Sequence, residues 1–207
     1  DIMSEKSIPR QPMPEQPAVE RRHNFQEVPL GYSPEVAKLE ASRCIQCKKP
    51  GCVGGCPAGI DIPAFIKPIA EGDMPAAVAK LAERTALPAV CGRVCPQESQ
   101  CEERCILAKK GDAVSIGRLE RYAADWARNS GHDVVPPKAP ATGKKVAVIG
   151  SGPAGLTVAG DLILKGHEVT VFEALHQPGG VLVYGIPEFR LPKAILQKEC
   201  DNLAALG

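Results

Sequence analysis

The chain has 207 residues, which is enough for one domain or two small ones, and its formal net charge is +1. This balanced charge gives no electrostatic reason to expect nucleic acid or an anionic membrane as a partner. Aromatic residues make up only 4% of the chain, which is few for surfaces that stack on bases. No apolar run is long enough to span a bilayer and no signal-type segment precedes the polar N-terminus, so we expect a cytoplasmic protein without membrane contact.

The chain begins with a proline-rich segment, residues 1–30, that predicts an extended arm with little structure of its own. Ser33 and Pro34 then have the residue types of a helix N-cap and first helical position, and a helix over 35–43 follows. A glycine- and proline-rich loop is expected over 48–59. Two short helices are expected after it, near 63–71 and 75–85, and Pro68 is expected to kink or shorten the first of them.

The pattern of the chain changes in its second half. A cysteine loop over 91–105 precedes an amphipathic helix over 114–128, which ends the predicted helical domain of residues 31–130. A proline-containing linker is expected over 131–143. From residue 144 onward, a β-branched strand at 145–149, a glycine loop, a helix to about Lys165 and a strand at 168–173 form the start of a Rossmann-type βαβ unit.

Nine cysteines are many for a chain without a secretion signal, and eight of them lie between Cys44 and Cys105. This crowding favours metal or cluster ligation over a disulfide framework, because cytosolic thiols are kept reduced. The first run has the spacing of a cluster-binding loop and ends in Cys-Pro, as the bacterial ferredoxin run does. The cysteines of this run are Cys44, Cys47, Cys52 and Cys56.

The second run also contains a Cys-Pro step, and its cysteines are Cys91, Cys95, Cys101 and Cys105. Structural zinc is the competing interpretation, but it prefers paired Cys-x2-Cys knuckles, and only Cys44 and Cys47 have that spacing. Iron–sulfur ligation is therefore favoured, with Cys52 and Cys56 close enough in sequence to serve adjacent clusters. Cys91 follows an apolar run, so we expect it to be a packed thiol that does not ligate, which would leave one cluster short of a cysteine.

The glycine loop predicts a dinucleotide site. It consists of Gly150, Gly152 and Gly155 with Pro153 and Ala154 between the last two, it follows a strand, and it opens a helix. Its glycines allow a tight turn, a close pyrophosphate and close helix–strand packing, while the helix N-terminus supplies amide donors. Glu173 ends the second strand and is expected to bind ribose hydroxyls and to disfavour a 2′-phosphate. Gly179 and Gly180 follow and favour a flavin over NAD.

These residues together resemble one family, the small subunit of NADPH-dependent glutamate synthase. Its relatives include the N-terminal part of dihydropyrimidine dehydrogenase and the large subunit of bifurcating NADH-dependent ferredoxin:NADP oxidoreductase. The resemblance is carried by Gly31-Tyr32, by both cysteine loops, by residues 116–121 and by residues 179–187. It implies an α+β multidomain protein, in which a helical ferredoxin-like domain precedes a Rossmann-type FAD domain over residues 144–207.

The resemblance also implies a ligand assignment for two [4Fe–4S] clusters. One cluster would take Cys44, Cys47, Cys52 and Cys105. The other would take Cys56, Cys95 and Cys101, with Glu120 in place of a fourth cysteine. From the residues alone, Glu120 has the pattern of an ordinary solvated helix glutamate. Cys91 matches a family cysteine that does not ligate, and residues 180–187 would lie near the isoalloxazine.

Family members continue for more than two hundred further residues that complete the FAD fold and add an NADPH domain. We therefore expect a fragment with an incomplete FAD site, inactive with NADPH by itself. In the intact oxidoreductase, electrons from NADPH would pass through FAD and the clusters to a larger subunit, such as that of glutamate synthase or a ferredoxin-reductase type. The alternative is a non-catalytic electron-relay or docking module. No catalytic acid, base or nucleophile is expected in this segment.

Overall fold

The computed structural model describes residues 8–132 and 134–207, and this part of the chain is rich in helices, with one small parallel sheet. The N-terminal part contains seven α-helices: α1 (Ala18–Arg21), α2 (Pro34–Ser42), α3 (Gly51–Gly55), α4 (Ile62–Glu71), α5 (Met74–Ala82), α6 (Pro88–Val94) and α7 (Ile116–Ser130). Two 3₁₀ turns, Gln97–Ser99 and Ile106–Lys109, lie between α6 and α7.

The second part begins after residue 144. Its elements are β1 (Lys145–Ile149), α8 (Pro153–Leu164), β2 (Glu168–Phe172), α9 (Val181–Tyr184) and α10 (Lys193–Ala205). The two strands are parallel, with Lys145 opposite Glu168 and Ile149 opposite Phe172. The predicted strand–loop–helix–strand order is therefore confirmed. Ile149 is 81% exposed and Phe172 is 54% exposed, so apolar side chains at the carboxyl ends of both strands face outward.

Three helices begin with a polar cap followed by proline within the first turn. Ser33 Oγ accepts a hydrogen bond from Val36 N at 3.3 Å, as predicted for the start of α2. Asp61 and Asp73 cap α4 and α5 in the same way. Such caps satisfy amide groups that have no partner inside the helix, and proline loses nothing at a position where its missing N–H is not needed.

Pro68 does not shorten α4, contrary to the sequence-based expectation. The helix continues through it to Glu71 and ends where Gly72 adopts a left-handed conformation with φ 87°. Asp73 N donates to the carbonyl of Pro68 at 2.9 Å, so the proline takes part in the closing turn of the helix. Burial of Phe65, Ile66 and Ile69 against neighbouring helices stabilises α4 despite the proline.

Both cysteine segments contain helices where loops were expected. Residues 48–59 include α3, and the second segment begins inside α6. A Cβ atom at Gly51 would lie 2.8 Å from the carbonyl oxygen of Arg104, and one at Gly55 would lie 2.6 Å from that of Gln100. Glycine is therefore needed where the two cysteine segments touch, and this contact between distant parts of the chain cannot be inferred from local pattern.

The N-terminal arm is more structured than its prolines suggested, although residues 1–7 lie outside the described part. It contains α1 and a bridge between Glu15 and Pro29. Arg10 forms an ion pair with the buried Glu102 at 2.5 Å. Val28 N donates to the carbonyl of Phe189 at 3.0 Å, so the arm contacts both parts of the chain.

The main core lies among α2, α4, α5 and α7, and the predicted amphipathic helix α7 turns its apolar face into it. A second hydrophobic cluster joins the two parts of the chain. In it, Leu87, Val90 and Ala124 from the helical part pack with Leu156 and Leu196 from the second part. The helix α6 is therefore held on both sides. No helix in the described ranges has the length and apolarity needed to cross a membrane.

We predict that Gly92→Ala destabilises the protein. A Cβ atom at residue 92 would lie 2.5 Å from the backbone nitrogen of Arg121, so α6 and α7 would have to separate. We expect the free energy of unfolding, measured with urea, to fall by about 1–3 kcal/mol. Gly111→Ala is the matched control because nothing lies within 4 Å of its Cβ position, and equal stability losses in the two variants would contradict the prediction.

Candidate functional site

Four cysteines from distant positions surround one small cavity, and we refer to them as the first group: Cys44, Cys47, Cys52 and Cys105. The rest of the cavity wall is largely apolar, with Ile62, Ile66, Val114 and Ile116 among its residues. Cys44 and Cys47 follow α2, Cys52 lies in α3, and Cys105 precedes the second 3₁₀ turn. Contact between the two cysteine segments thus brings together four thiols that are separated by up to sixty-one residues.

The thiols of the first group influence one another electrostatically. Burial raises the pKa of Cys44, and charge on Cys105 and Cys47 raises it further. Burial, followed by charge on Cys105 and Cys44, raises the pKa of Cys52 to about 11. Thiolates in such a pocket repel one another, and iron would convert that repulsion into attraction because a coordinating thiol is deprotonated by the metal's charge.

Gln46 is the only non-glycine residue with positive φ in the described part of the chain, at 50°. Its side-chain amide donates to Cys44 Sγ at 3.4 Å, and its backbone N–H also bonds that sulfur and lowers the pKa of Cys44. Such a conformation costs free energy and is found mainly where function or packing requires it. Here it lets one residue supply two donors to one thiol.

A second group is formed by Cys56, Cys95, Cys101 and Glu120. Charges on Cys56, Cys101 and Glu120 all act on Cys95, and charges on Cys56 and Glu120 act on Cys101. Burial is the largest cause that raises the pKa of Cys101 to about 12, and the adjacent Glu102 adds to it. The charges that act on Cys44 and Cys52 come from the first group, whereas those that act on Cys95 and Cys101 come from the second group and Glu102. The side chains predicted for each cluster are thus brought together in two separate places.

Glu120 is the most unusual member of the second group. It lies on α7, its side chain is buried, and its Oε1 atom has no hydrogen-bond partner. Burial raises its pKa well above the usual range, and charge on Cys91 and Glu199 contributes as well. A buried carboxyl oxygen without a partner is costly, and a metal ion is one of the few groups that compensate for it.

Cys91 lies beside the second group. Its Sγ is 3.8 Å from Thr85 Oγ1, and its thiol donates to the sulfur of Cys95. That interaction lowers the pKa of Cys95 and raises the pKa of Cys91. Cys91 is half-buried, and its assignment as a packed thiol that does not ligate stays a prediction.

The cysteines of the first group surround a cavity and do not converge on one point. None of the nine cysteines forms a disulfide. Within residues 8–132 and 134–207, no three His, Cys, Asp or Glu side chains converge closely enough to hold one metal ion. Tetrahedral zinc needs four donors at about 2.0–2.3 Å from one point. The cysteines of the first group instead stand around a cavity, as ligands of the separate irons of a cluster must.

A buried ionic network holds α6 against α7 and so sets the distance between Cys95 and Glu120. Both Arg93 and Arg121 are buried, and both bind the carboxylates of Asp125 and Glu27. Both carboxylate oxygens of Asp125 accept from one nitrogen of Arg93, Nη2, at 2.8 Å each. Since Glu27 belongs to the N-terminal arm, the arm completes the charge balance between the two helices.

Glu199 links the second part of the chain to α6. It lies on α10, is only 7% exposed, and accepts a hydrogen bond from Ala89 N at 2.8 Å. The helix α6 has no side-chain cap of its own at its N-terminus. A carboxylate from α10 therefore satisfies one of its free amides and faces the positive end of the helix that carries Cys91 and Cys95.

The glycine loop has the geometry expected of a nucleotide site. Gly150 adopts φ 92°, and Gly152 is the N-cap of α8, which starts at Pro153 and continues with Ala154. A Cβ atom at Gly155 would lie 2.0 Å from the carbonyl oxygen of Gly150. The helix can therefore approach the loop only because residue 155 is glycine. No side chain caps α8, so no side-chain acceptor binds the first amides of this helix.

Ser151 organises the surroundings of the loop. It is 1% exposed, and its hydroxyl donates to Glu173 Oε2 and accepts from Gly179 N at 3.0 Å. Gly180 lies against the loop as well, because a Cβ there would be 2.9 Å from the Cα of Gly152. All eight residues predicted for the nucleotide site thus lie in one connected region.

Glu173 is held in place by three donors: the Ser151 hydroxyl, Ser151 N at 3.0 Å and Leu175 N at 2.8 Å. The hydrogen bond from the Ser151 side chain is the largest cause that lowers the pKa of Glu173 to about 2, so the carboxylate is ionised at neutral pH. A carboxylate has about four acceptor sites. Roughly one therefore remains for a ribose hydroxyl.

Three residues with clear roles were not found from the sequence: Gln46, Ser151 and Glu199. Gln46 and Ser151 lie inside recognised motifs, so their positions were visible, but positive φ and bridging hydrogen bonds leave no mark on residue type. Glu199 has no local signal. Its role depends on a contact with Ala89, 110 residues earlier in the chain.

Comparison with known proteins agrees with this division of the chain. Residues 21–132 match the family described as dihydropyrimidine dehydrogenase domain II, 4Fe–4S cluster. Residues 148–185 match the NAD(P)-binding Rossmann-like domain, whose description names NAD(P) and not a flavin.

Several curated proteins are similar over nearly the whole chain. The NADPH glutamate synthase small chain of Azospirillum brasilense is 40% identical over 95% of this chain and 41% of its own length. The putative oxidoreductase UacF of Escherichia coli K12 is 40% identical over 92% of this chain and 30% of its own length. The NAD-dependent dihydropyrimidine dehydrogenase subunit PreT of Escherichia coli O157:H7 is 37% identical over 90% of this chain and 45% of its own length.

The chain thus spans less than half the length of these relatives. The resemblance predicted from the cysteine loops and the glycine loop is confirmed, since both glutamate synthase small chains and dihydropyrimidine dehydrogenase subunits are among the relatives. The family match covers more than half of the residues and includes every cysteine of both groups. This chain belongs to the dihydropyrimidine dehydrogenase domain II, 4Fe–4S cluster family.

Proposed function

We propose that this chain is the electron-relaying part of an NAD(P)H-dependent flavin and iron–sulfur oxidoreductase of the glutamate synthase small-chain type. Residues 31–130 form the iron–sulfur domain, and residues 144–207 form the beginning of an FAD-binding domain, joined by the linker 131–143. The observation that carries the proposal is the separation of the predicted ligands into two electrostatically linked groups.

In this proposal the first group holds one [4Fe–4S] cluster and the second group holds another. Such clusters, when bound, take up and release single electrons, while a flavin exchanges hydride with a nicotinamide. The protein's contribution is to select and tune these groups. Gln46 donates to the sulfur of Cys44, apolar side chains exclude water from the first group, and the carboxylate of Glu120 gives the second group a harder ligand.

The position of the second group supports a route from the flavin. Cys95 lies at the end of α6, whose N-terminus contacts Glu199 of α10 in the nucleotide-binding part. Because α6 spans only seven residues, the nucleotide-binding part lies close to the second group. The first group contains no residue of α6. Electrons from NADPH would thus reach the second group first and leave through the first group to a larger partner subunit.

FAD is the nucleotide that we propose for the glycine loop. Gly179 and Gly180 bring a second stretch of backbone against Gly152, which extends the groove beyond the pyrophosphate position. The single acceptor site left on Glu173 suits a ribose hydroxyl and not a 2′-phosphate, since an ionised carboxylate repels a phosphate. NADPH would therefore bind elsewhere in the intact protein.

The role of Glu120 is tested by Glu120→Ala in protein reconstituted with iron and sulfide. We expect the EPR signal of one reduced cluster to change or disappear while the other is unaltered, because only the second group loses a ligand. Glu103→Ala is the control, since Glu103 is an exposed glutamate in the second cysteine segment. The assignment fails if both signals remain unchanged in the Glu120 variant.

The role of Cys91 is tested against that of its neighbour Cys95. We expect Cys91→Ala to keep about eight irons per chain and Cys95→Ala to retain about half as many, because only Cys95 is a ligand. Iron and acid-labile sulfide are measured together. Loss of iron in the Cys91 variant equal to that in the Cys95 variant would contradict the assignment, and a colourless protein with stoichiometric zinc would reject the iron–sulfur proposal.

The role of Glu173 is tested by Glu173→Gln in the intact protein. Hydrogen bonds to a charged group are worth about 1.5–3 kcal/mol, so we expect the Kd for FAD to rise at least tenfold. Fluorescence of the released flavin measures this affinity. Glu168→Gln, at the exposed start of the same strand, serves as control and should leave the Kd within about twofold. An unchanged Kd for Glu173→Gln would argue against ribose binding by this residue.

A further inference from the structure

Two exposed apolar residues lie beside the first group. Ile45 is 61% exposed and Ile106 is 44% exposed, and both also line the cavity that Cys44, Cys47 and Cys105 surround. Each isoleucine directly follows one of these cysteines in sequence. The two apolar side chains therefore lie at the point where the first group comes nearest to solvent.

Four lysines lie close to these isoleucines in the sequence. Lys48 and Lys49 follow Cys47, while Lys109 and Lys110 end the 3₁₀ turn that begins at Ile106, and all four are exposed. None of their ammonium groups forms an ion pair or hydrogen bond within the described residues. The exposed acidic residues from Cys91 to Asp112 are Glu98, Glu103 and Asp112, against four exposed lysines and Arg104 in the same two segments, so positive charge is in excess. The net charge of the whole chain, +1, conceals this local excess.

Two members of the second group, Cys56 and Cys95, are also half-buried, but no exposed isoleucine flanks them in sequence. Cys101 and Glu120 are buried, and α6 is covered by α10 through Glu199 and the shared hydrophobic cluster. A partner protein can therefore approach the first group more closely than the second. An apolar centre with a charged rim is the usual composition of a protein interface, and charge on the rim mainly accelerates and orients transient association.

We propose that the surface formed by Ile45, Ile106, Lys48, Lys49, Lys109 and Lys110 docks a protein that carries acidic side chains around its own one-electron redox centre. This inference rests on the proposed relay function and adds the site and the charge of the partner. One electron passes per encounter, so the first cluster is oxidised by one electron and the partner's centre is reduced by one, with reduced flavin as the source. A protein is favoured over nucleic acid because the centre of the surface is apolar.

The test uses the intact protein, a small acidic [2Fe–2S] ferredoxin as probe and basic cytochrome c as counter-probe. Binding is measured by calorimetry for Lys48→Glu/Lys109→Glu and for the control pair Lys144→Glu/Lys165→Glu, which makes the same change of charge on exposed lysines of the second part. At low ionic strength we expect the first pair to weaken ferredoxin binding about tenfold and the control pair less than twofold. The difference should shrink as salt is added, and cytochrome c should bind the first pair more tightly.

Ile45→Ser gives an independent check, because it removes apolar contact without changing charge. We expect it to weaken ferredoxin binding while leaving the salt dependence unaltered. Equal losses in both lysine pairs, or binding of a short DNA duplex as tight as that of ferredoxin, would overturn the proposal. The rate of electron transfer from the dithionite-reduced protein to ferredoxin, measured by stopped flow, separates the two proposals. Intact binding without electron transfer rejects the relay function. A transfer rate that neither lysine pair changes rejects only the docking surface.

Discussion

The close contact between α6 and α7 is the constraint on which the rest of the structure depends. Gly92 lets the backbone of α6 approach the backbone of α7 at Arg121, and the two hydrogen bonds from Arg93 Nη2 to Asp125 hold the helices there. This contact brings Cys95 within electrostatic range of Glu120. It also leaves the outer face of α6 free to pack against α10, so a single helix contributes to both the second group and the junction with the second part of the chain.

Burial of charge is the main cost of this arrangement. Glu40 is fully buried, and it accepts hydrogen bonds from Gln11 N and Ser115 N, both at 2.7 Å, and from Arg43. Such carboxylates are acceptable inside a protein because each lone pair finds a donor. Glu120 is the exception among these acidic residues, since Oε1 finds none. Glu40 and Glu120 thus differ in one respect: every donor that Glu40 needs is present, whereas Glu120 has an oxygen without a partner. This difference makes Glu120 a metal-ligand candidate and Glu40 a packing residue.

The two groups differ in their surroundings in a way that suits a directional relay. The second group has two buried members, Cys101 and Glu120, and lies toward the nucleotide-binding part, whereas the first group has one buried member, Cys105, and exposed isoleucines beside it. Solvent exposure and hydrogen bonds to sulfur both tune cluster potentials. The structure therefore provides two different environments from two loops of similar composition, and this difference arises from which helices cover each group.

Much of this protein followed from its sequence alone, because the relevant signals are local. Cysteine spacing identified the cluster-binding segments, Ser33-Pro34 marked the start of a helix, and Gly150 to Gly155 between a strand and a helix identified the nucleotide loop. The division of the cysteines between two clusters came from family resemblance and not from spacing.

Only the tertiary structure decided which residues meet across long separations, since these contacts depend on packing and leave no local pattern. It buried Glu120, which has the sequence pattern of a solvated glutamate, and it turned the loops around Cys52 and Cys91 into helices. It carried α4 past Pro68 because apolar burial outweighs the lost hydrogen bond. It also left four lysines and two isoleucines near the cysteines exposed, a local excess of charge that the net charge of +1 does not reveal.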